Sequence, residues 1–237
     1  MFIRLVLNFK VIDVCEYYDI TKYDIQGFIY QLLKNNEEFG NYHENRGFKF
    51  FNFSNIFPVS DFKKGEFKSL IISSPNYNLI RALYTQLDKF ETFYLNKYQM
   101  SMEYINVIKP KHYDKFISST PVVLFEDNTK NQYYSFRNNH DFNFFWNRLK
   151  DNAVKKYNVF TGLDFNLEDD LFDLFEFNRE VAVRVRKNGN TFIVIGSLWK
   201  NLEVNLNSKN RNFYRFLLDV GLGEKNSLGF GMLNDRR

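Results

Sequence analysis

Four glycines fall within eleven residues near the end of the chain, in the run Gly221-Leu222-Gly223-Glu224-Lys225-Asn226-Ser227-Leu228-Gly229-Phe230-Gly231. Glycine permits positive φ and puts no side chain between backbone and ligand. Consecutive exposed amides can then form an anion-binding nest, to which Lys225 adds a positive charge. The chemistry this suits is the holding of a phosphate. The spacing excludes two familiar phosphate loops. It lacks the G-x-x-x-x-G-K-S/T pattern, and it follows a helical stretch rather than the strand a dinucleotide fingerprint needs. On the residues alone, a flexible connector accounts for the same run.

Arg184 and Arg186 are the second candidates for phosphate contact. They alternate with Val181, Val183 and Val185 and so share the strand face opposite the valines. Solvated strand charges are the alternative reading. Lys200, Lys209, Arg211 and Arg215 would extend the same basic surface.

The elements that must position these groups are legible from periodicity. Phe2 to Phe9 reads as a strand. Thr21 with Asp24 forms a capping-box variant, and Ile25, Phe28, Ile29, Leu32 and Leu33 define the buried stripe of the helix that follows. Tyr30 lies off that stripe, at a flank from which its phenol can reach a cleft. Phe48–Ser54 and Phe67–Ser73 read as strands, Ser74-Pro75 as a helix start, and Tyr98–Ile108 as a long strand with Tyr98, Met100, Met102 and Tyr104 on one side. Lys109-Pro110-Lys111 breaks the pattern and the order restarts. Thr120–Phe125 is a strand and Asp141–Tyr157 a helix. Glu180–Lys187 and Thr191–Trp199 are strands joined at Asn188-Gly189. A helix opens at Ser208 and ends at Gly221, and Gly229–Asn234 is a last strand. The order β-α-β-β-α-β thus occurs twice, which predicts an α+β protein of two tandem ferredoxin-like domains, residues 1–110 and 111–237.

Composition sets the outer bounds. The 237 residues are 44% hydrophobic and 19% aromatic, enough for packed cores and against disorder. The net charge is +4, unevenly spread: six acids and no Lys or Arg lie between Leu163 and Asn178, and from Arg179 onward eleven Lys and Arg face five Asp and Glu. The single Cys15 forms neither an internal disulfide nor a zinc site. The acids at 168–170 read as a solvated face rather than a metal site. No apolar run approaches the length of a membrane span and the N-terminus lacks a signal peptide, so a cytoplasmic protein with no membrane contact is expected.

The run at 221–232 resembles the C-terminal glycine-rich signature of the repeat-associated RNA-binding proteins of CRISPR systems. More narrowly, it is similar to the sixth CRISPR-associated protein family, endoribonucleases that excise guide RNAs from the repeat transcript. That family is built from two ferredoxin-like, RNA-recognition-type domains, in agreement with the element order. It usually carries a histidine after the first helix, followed by a Lys-x-Phe-Thr-Phe-Ser-like strand. In the stretch 43–56, His43, Lys49, Phe51, Phe53 and Ser54 match, while Asn52 stands where Thr is frequent and Phe50 where Pro is frequent.

The resemblance implies metal-independent cleavage of CRISPR repeat RNA, with no cofactor. The ribose 2′-hydroxyl attacks the adjacent phosphate, giving a 2′,3′-cyclic phosphate and a 5′-hydroxyl. One group takes the 2′ proton, another protonates the leaving oxygen, and a cation stabilises the phosphorane. A histidine can serve as acid or base near neutral pH. His43, Lys49 and Tyr30 are the implied catalytic group. Gly221, Gly223, Lys225, Asn226, Ser227, Gly229, Gly231, Arg184 and Arg186 are the implied RNA contacts. The alternative is a non-catalytic subunit that carries guide RNA in a CRISPR effector complex. Fold and glycine run suit both, and His43 with Lys49 favours the enzyme. Other effector subunits and a second copy of the chain are further partners the resemblance allows.

Overall fold

The computed structural model describes residues 3–111, 113–187 and 189–236. Nothing is assigned to His112, which has no motif around it, or to Asn188 of the expected hairpin turn; both lie outside the described residues.

The first sheet takes the order β2-β3-β1-β5-β4, all antiparallel, from β1 (Ile3–Val11), β2 (Asn52–Phe53), β3 (Phe67–Ser74), β4 (Thr92–Leu95) and β5 (Tyr98–Ile108). Two helices cover one face, α1 (Lys22–Leu33) and α2 (Tyr77–Leu87). Leu5, Leu7 and Phe9 of β1 meet Ile25, Phe28, Ile29, Leu79, Ile80 and Leu83 in the core between them. Both halves of the box at Thr21 form: Asp24 accepts from the Thr21 amide at 2.7 Å, and the Thr21 hydroxyl accepts from the Asp24 amide at 3.4 Å.

The second sheet takes the order β11-β6-β10-β9, from β6 (Lys115–Ser118), β9 (Leu174–Lys187), β10 (Asn190–Glu203) and β11 (Leu233–Asp235). A two-stranded ribbon, β7 (Phe125–Asp127) with β8 (Gln132–Tyr133), precedes α3 (Phe142–Thr161), and α4 (Arg211–Val220) precedes the glycine-rich run. In both sheets the first strand of the unit lies between its third and its last. This is the ferredoxin-like arrangement, present twice.

Several boundaries differ from expectation for identifiable reasons. The strand expected over Phe48–Ser54 pairs only at Asn52 and Phe53. Upstream, Phe50 turns away to meet Phe160 at 5.1 Å and Phe216 at 6.3 Å. Helix α2 is capped by Asn76, whose side chain accepts from the amides of Asn78 and Leu79, so it starts two residues after the expected Ser74-Pro75. A bulge opposite Asn8 and Phe9 breaks the alternation of β5, and Tyr104 is exposed while Met100 is buried. Of the segment expected as strand Thr120–Phe125, Phe125 opens β7, and the residues before it are extended but bridge singly, Val122 to Ser197 and Val123 to Glu224. Pro121 has no amide to give a ladder. The last strand is Leu233–Asp235, because Gly229 to Met232 remain in the loop.

The two halves are joined through the open face of the first sheet. Arg4 of β1, buried, reaches Asp219 at 3.3 Å, Asn234 at 2.8 Å and the carbonyl of Leu218. The Ser73 hydroxyl donates to the Asp219 carbonyl at 2.8 Å. The end of α4 is thereby fixed to β1 and β3.

Candidate active site

Helix α1 has a second face besides its core stripe. Lys22, Tyr23, Gln26 and Tyr30 recur at helical spacing and meet the C-terminal half. The Lys22 ammonium donates to the Gly229 carbonyl at 2.8 Å and the Asn55 side chain at 3.1 Å, against the rings of Phe230 and Phe53. Burial of that charged end pulls its pKa down to about 7. Tyr23 meets Phe192 of the long hairpin at 6.2 Å, with the Lys187 ammonium over its ring at 5.1 Å. Gln26 donates to the Ser227 carbonyl at 2.8 Å.

Tyr30 closes this row. Its ring meets His43 edge to face at 4.8 Å and Phe51 at 5.6 Å. Burial pushes its phenol up to about 12, with the neighbouring Tyr42 adding to the rise and a hydrogen bond with Ser227 opposing it. The phenol therefore keeps its proton at neutral pH. His43 is exposed, and its imidazole hydrogen-bonds to no other described residue.

The loop that presents His43 is well knit. Asn36 accepts from the amides of Glu38 and Phe39, both at 3.0 Å, and the Tyr42 amide donates to the Phe39 carbonyl at 2.9 Å. The Tyr42 hydroxyl accepts from the Phe50 amide at 2.9 Å. Lys49 completes the loop: its ammonium donates to the carbonyls of Tyr42 and Asn45, which flank His43, and lies over the Tyr42 ring at 5.2 Å. Desolvation lowers its pKa.

The glycine-rich run is packed between the halves. A Cβ on Gly221 would lie 2.2 Å from the Asn52 amide, one on Gly229 2.4 Å from the Phe53 ring, and one on Gly231 1.9 Å from the Leu222 carbonyl. The amides of Gly221, Leu222, Glu224, Leu228, Gly229, Gly231 and Met232 donate to protein acceptors. The backbone amides of Gly223, Lys225, Asn226 and Ser227 donate to none among the described residues, and of these residues Gly223 and Asn226 are buried while Lys225 and Ser227 are half-buried. The open part of the run is thus its tip, where Lys225 has a left-handed backbone, φ +58°, and its ammonium lies 5.1 Å above Phe125.

Two residues not singled out by sequence hold this run. Buried Lys156 of α3 donates to the carbonyls of Gly221 at 2.8 Å and Gly223 at 3.0 Å, and to the Asn226 side chain at 2.8 Å. The Asn226 amide in turn donates to the carbonyls of Leu222 and Phe230. Buried Asn52 donates to the Phe230 carbonyl at 2.9 Å and that of Val220 at 3.3 Å. The readable sign of Lys156 is its register: it falls on the stripe of Phe145, Leu149 and Ala153, where a lysine is out of place.

Arg184 and Arg186 are exposed on β9, opposite the buried Val185 and half-buried Val181 and Val183. The valine face packs against Val123, Leu228 and Phe230, so the hairpin lies over the glycine-rich run. Among the described residues, no group of three or more His, Cys, Asp or Glu side chains could hold a metal ion, and no helix is long and apolar enough to cross a membrane.

The family model for the C-terminal part of the CRISPR-associated protein Cas6 matches residues 103–234. The chain is 44% identical over 227 residues to the CRISPR-associated endoribonuclease Cas6 2 of Methanocaldococcus jannaschii, covering 91% of this chain and 92% of that one. Among solved structures, a CRISPR-associated Cas6 protein superposes with a TM-score of 0.72 at 22% identity over the whole of both chains. An RAMP protein that binds different RNA substrates does so with a TM-score of 0.74 at 20% identity, covering 99% of this chain and all of that one.

Proposed function

The chain belongs to the Cas6 family of CRISPR-associated endoribonucleases, and from that premise we propose that it cuts CRISPR repeat RNA in the precursor transcript by metal-independent attack of a 2′-hydroxyl. The observation that carries this reading is the edge-to-face contact of Tyr30 and His43 at 4.8 Å, with Ser227 of the glycine-rich run against the same phenol. A neutral phenol and an unencumbered imidazole, side by side at a solvent-facing cleft, are the two proton-transfer groups that phosphodiester transesterification needs.

The phenol's raised pKa supports one division of roles. Tyr30 holds its proton at neutral pH and serves as the acid, and His43 as the base takes the proton from the 2′-hydroxyl. The 2′-oxygen bonds to phosphorus and the bond from phosphorus to the 5′-oxygen breaks. The 5′-oxygen leaves with the proton of Tyr30, and the imidazolium beside the phenolate returns one to it. The products are a 2′,3′-cyclic phosphate and a 5′-hydroxyl. Lys49 holds the carbonyls on both sides of His43 and adds positive potential for the pentacoordinate phosphate.

RNA backbone contacts fall to the side chains of Lys225 and Ser227, to the backbone amides at the tip, and to Arg184 and Arg186, whereas the expected contact Asn226 is buried with its side chain spent on Lys156 and on the carbonyls of Leu222 and Phe230. Gly221, Gly223, Gly229 and Gly231 act by letting the run pack, which brings its tip to the cut. We place the division between the two RNA-binding units at Lys109–Lys111, giving residues 1–110 and 111–237.

The test is repeat RNA incubated with the protein in EDTA, with and without a 2′-deoxy substitution at the cut. Cleavage that persists in EDTA and stops with the substitution is expected. Binding without cleavage of any repeat would instead make the chain a guide-RNA carrier.

A further inference from the structure

Strand β4 pairs only with Tyr98–Ser101, so the far half of β5 forms an unpaired edge beside α2. Between that edge and the helix lies a groove of about 530 Å³, lined by Tyr77, Arg81, Tyr84, Val107, Lys109 and Lys111 among others. The volume is in the range of pockets for small organic groups. Tyr77 and Tyr84 are 44% and 37% exposed, a large apolar area to leave in water on two successive turns of one helix face, with Arg81 between them.

Charge decides what fits. Arg81, Lys109 and Lys111 make no ion pair among the described residues. Two acids are near: Asp235 accepts from the Lys111 amide rather than from its ammonium, and Glu38 lines a second hollow beside Arg81 without pairing with it. Lysines at a strand edge commonly guard it against other strands. That does not account for two exposed tyrosines flanking an arginine on the opposite wall. A two-fold contact between copies would set the three cations against their own equivalents, so a second copy of the chain is a poor occupant. Aromatic faces alternating with unpaired cations suit a single strand of nucleic acid, whose bases stack while its phosphates meet the cations.

The groove also leads toward the catalytic group. Arg81 lines the second hollow with Asn36 and Phe39. Phe39 meets Tyr42 at 5.7 Å, one residue before His43. We propose that this groove holds single-stranded RNA that continues from the cut site over Asn36–Phe39, with bases stacked on Tyr77 and Tyr84 and phosphates on Arg81, Lys109 and Lys111. This rests on the catalytic reading above for where the strand comes from.

The experiment compares repeat RNA with and without an unstructured extension of about ten nucleotides on either side, a length within the usual span of such sites. The extensions carry 4-thiouridine for photocrosslinking, and binding and cleavage are read separately. In the wild-type protein an extension should tighten binding and crosslink to the segment 77–84. The double variant Tyr77→Ala/Tyr84→Ala should lose about tenfold or more of affinity for extended RNA, and bind and cut extension-free RNA as the wild type does. Extended RNA bound equally well by both proteins, or crosslinks confined to other segments, would overturn the groove. Failure to cut any repeat while the extension still crosslinks at 77–84 overturns the catalytic reading alone. Self-association abolished by the tyrosine substitutions, with no RNA crosslink there, would replace RNA by a second copy.

Discussion

Gln26 and Ser227, 201 residues apart in the chain, are joined by one side-chain amide that reaches the Ser227 carbonyl at 2.8 Å and its hydroxyl at 3.4 Å. Through this pair the tip of the glycine-rich run is fixed one helical turn from Tyr30. The Tyr30–His43 pair and the tip of the glycine-rich run therefore lie together, brought there by the docking of two sheets.

The proposed catalytic pair separates in two substitutions. His43→Ala removes the proposed base and, the imidazole being exposed, costs the fold no more than its edge contact with Tyr30. Its single-turnover rate on repeat RNA should fall by about two to four orders of magnitude with the melting temperature unchanged. Tyr30→Phe keeps the ring contacts with His43 and Phe51 and removes the hydroxyl, with its proton and its hydrogen bond to Ser227. With the phenol lifted to about 12, the wild-type rate should show no loss from its ionisation below about pH 11, whereas an ordinary tyrosine would begin to ionise near pH 9. A rate that falls between pH 9 and 10 in the wild type but not in Tyr30→Phe would contradict the assignment.

Asn52→Ala tests the docking. The buried amide donates to the carbonyls of Phe230 and Val220, and its loss strands that of Val220 while that of Phe230 keeps the Asn226 side chain. Stability should fall by about 1–3 kcal/mol, read from urea unfolding. Gly229→Ala should act likewise, because its φ of +74° and the Phe53 ring at 2.4 Å leave no place for a methyl group. Either variant melting as the wild type does would mean that the run is held elsewhere.

Lys156 makes the docking pH-sensitive. Burial pulls its amine from the ordinary 10.5 to about 7. Between those values the unfolded chain binds a proton that the folded chain does not, so folding gains stability as pH rises through that window and is level below about 7. Lys156→Met lacks this term. The difference in melting temperature between wild type and variant should therefore move in favour of the wild type from pH 7 to pH 10. A difference that stays constant over that range would show that the amine does not titrate there.

Much of this was legible in the residues, and what escaped has a physical reason. Period 3.6 and period 2 gave both ferredoxin-like orders because each stripe reports only its own sheet. Phe50 and Asn52 read as minor departures within a strand, yet Phe50 plugs the second core and Asn52 pins the glycine-rich run. No local pattern encodes a contact between residues 52 and 230. The glycines looked like an open nest because spacing shows where backbone is free of side chains, not whether protein or ligand fills the space. β4 was missed because four residues are too few for alternation to register.

The arginine pair gives the last prediction. Arg184 and Arg186 are exposed on the face of β9 turned away from the glycine-rich run, which the valine face covers, so they form an outer basic surface without holding the fold. Burial lowers the pKa of Lys225, Glu224 opposes the shift, and Lys187, next on the strand, adds to it. Arg184→Glu/Arg186→Glu should leave the melting temperature unchanged and weaken repeat-RNA binding. Each phosphate contact removed takes about 0.7 from the slope of log affinity against log salt, so losing both should flatten it by about 1.4. The cleavage rate at saturating RNA should be retained, since neither residue contacts His43 or Tyr30. An unchanged salt slope would remove the pair from the RNA path, and a lost saturating rate would place them at the chemistry instead.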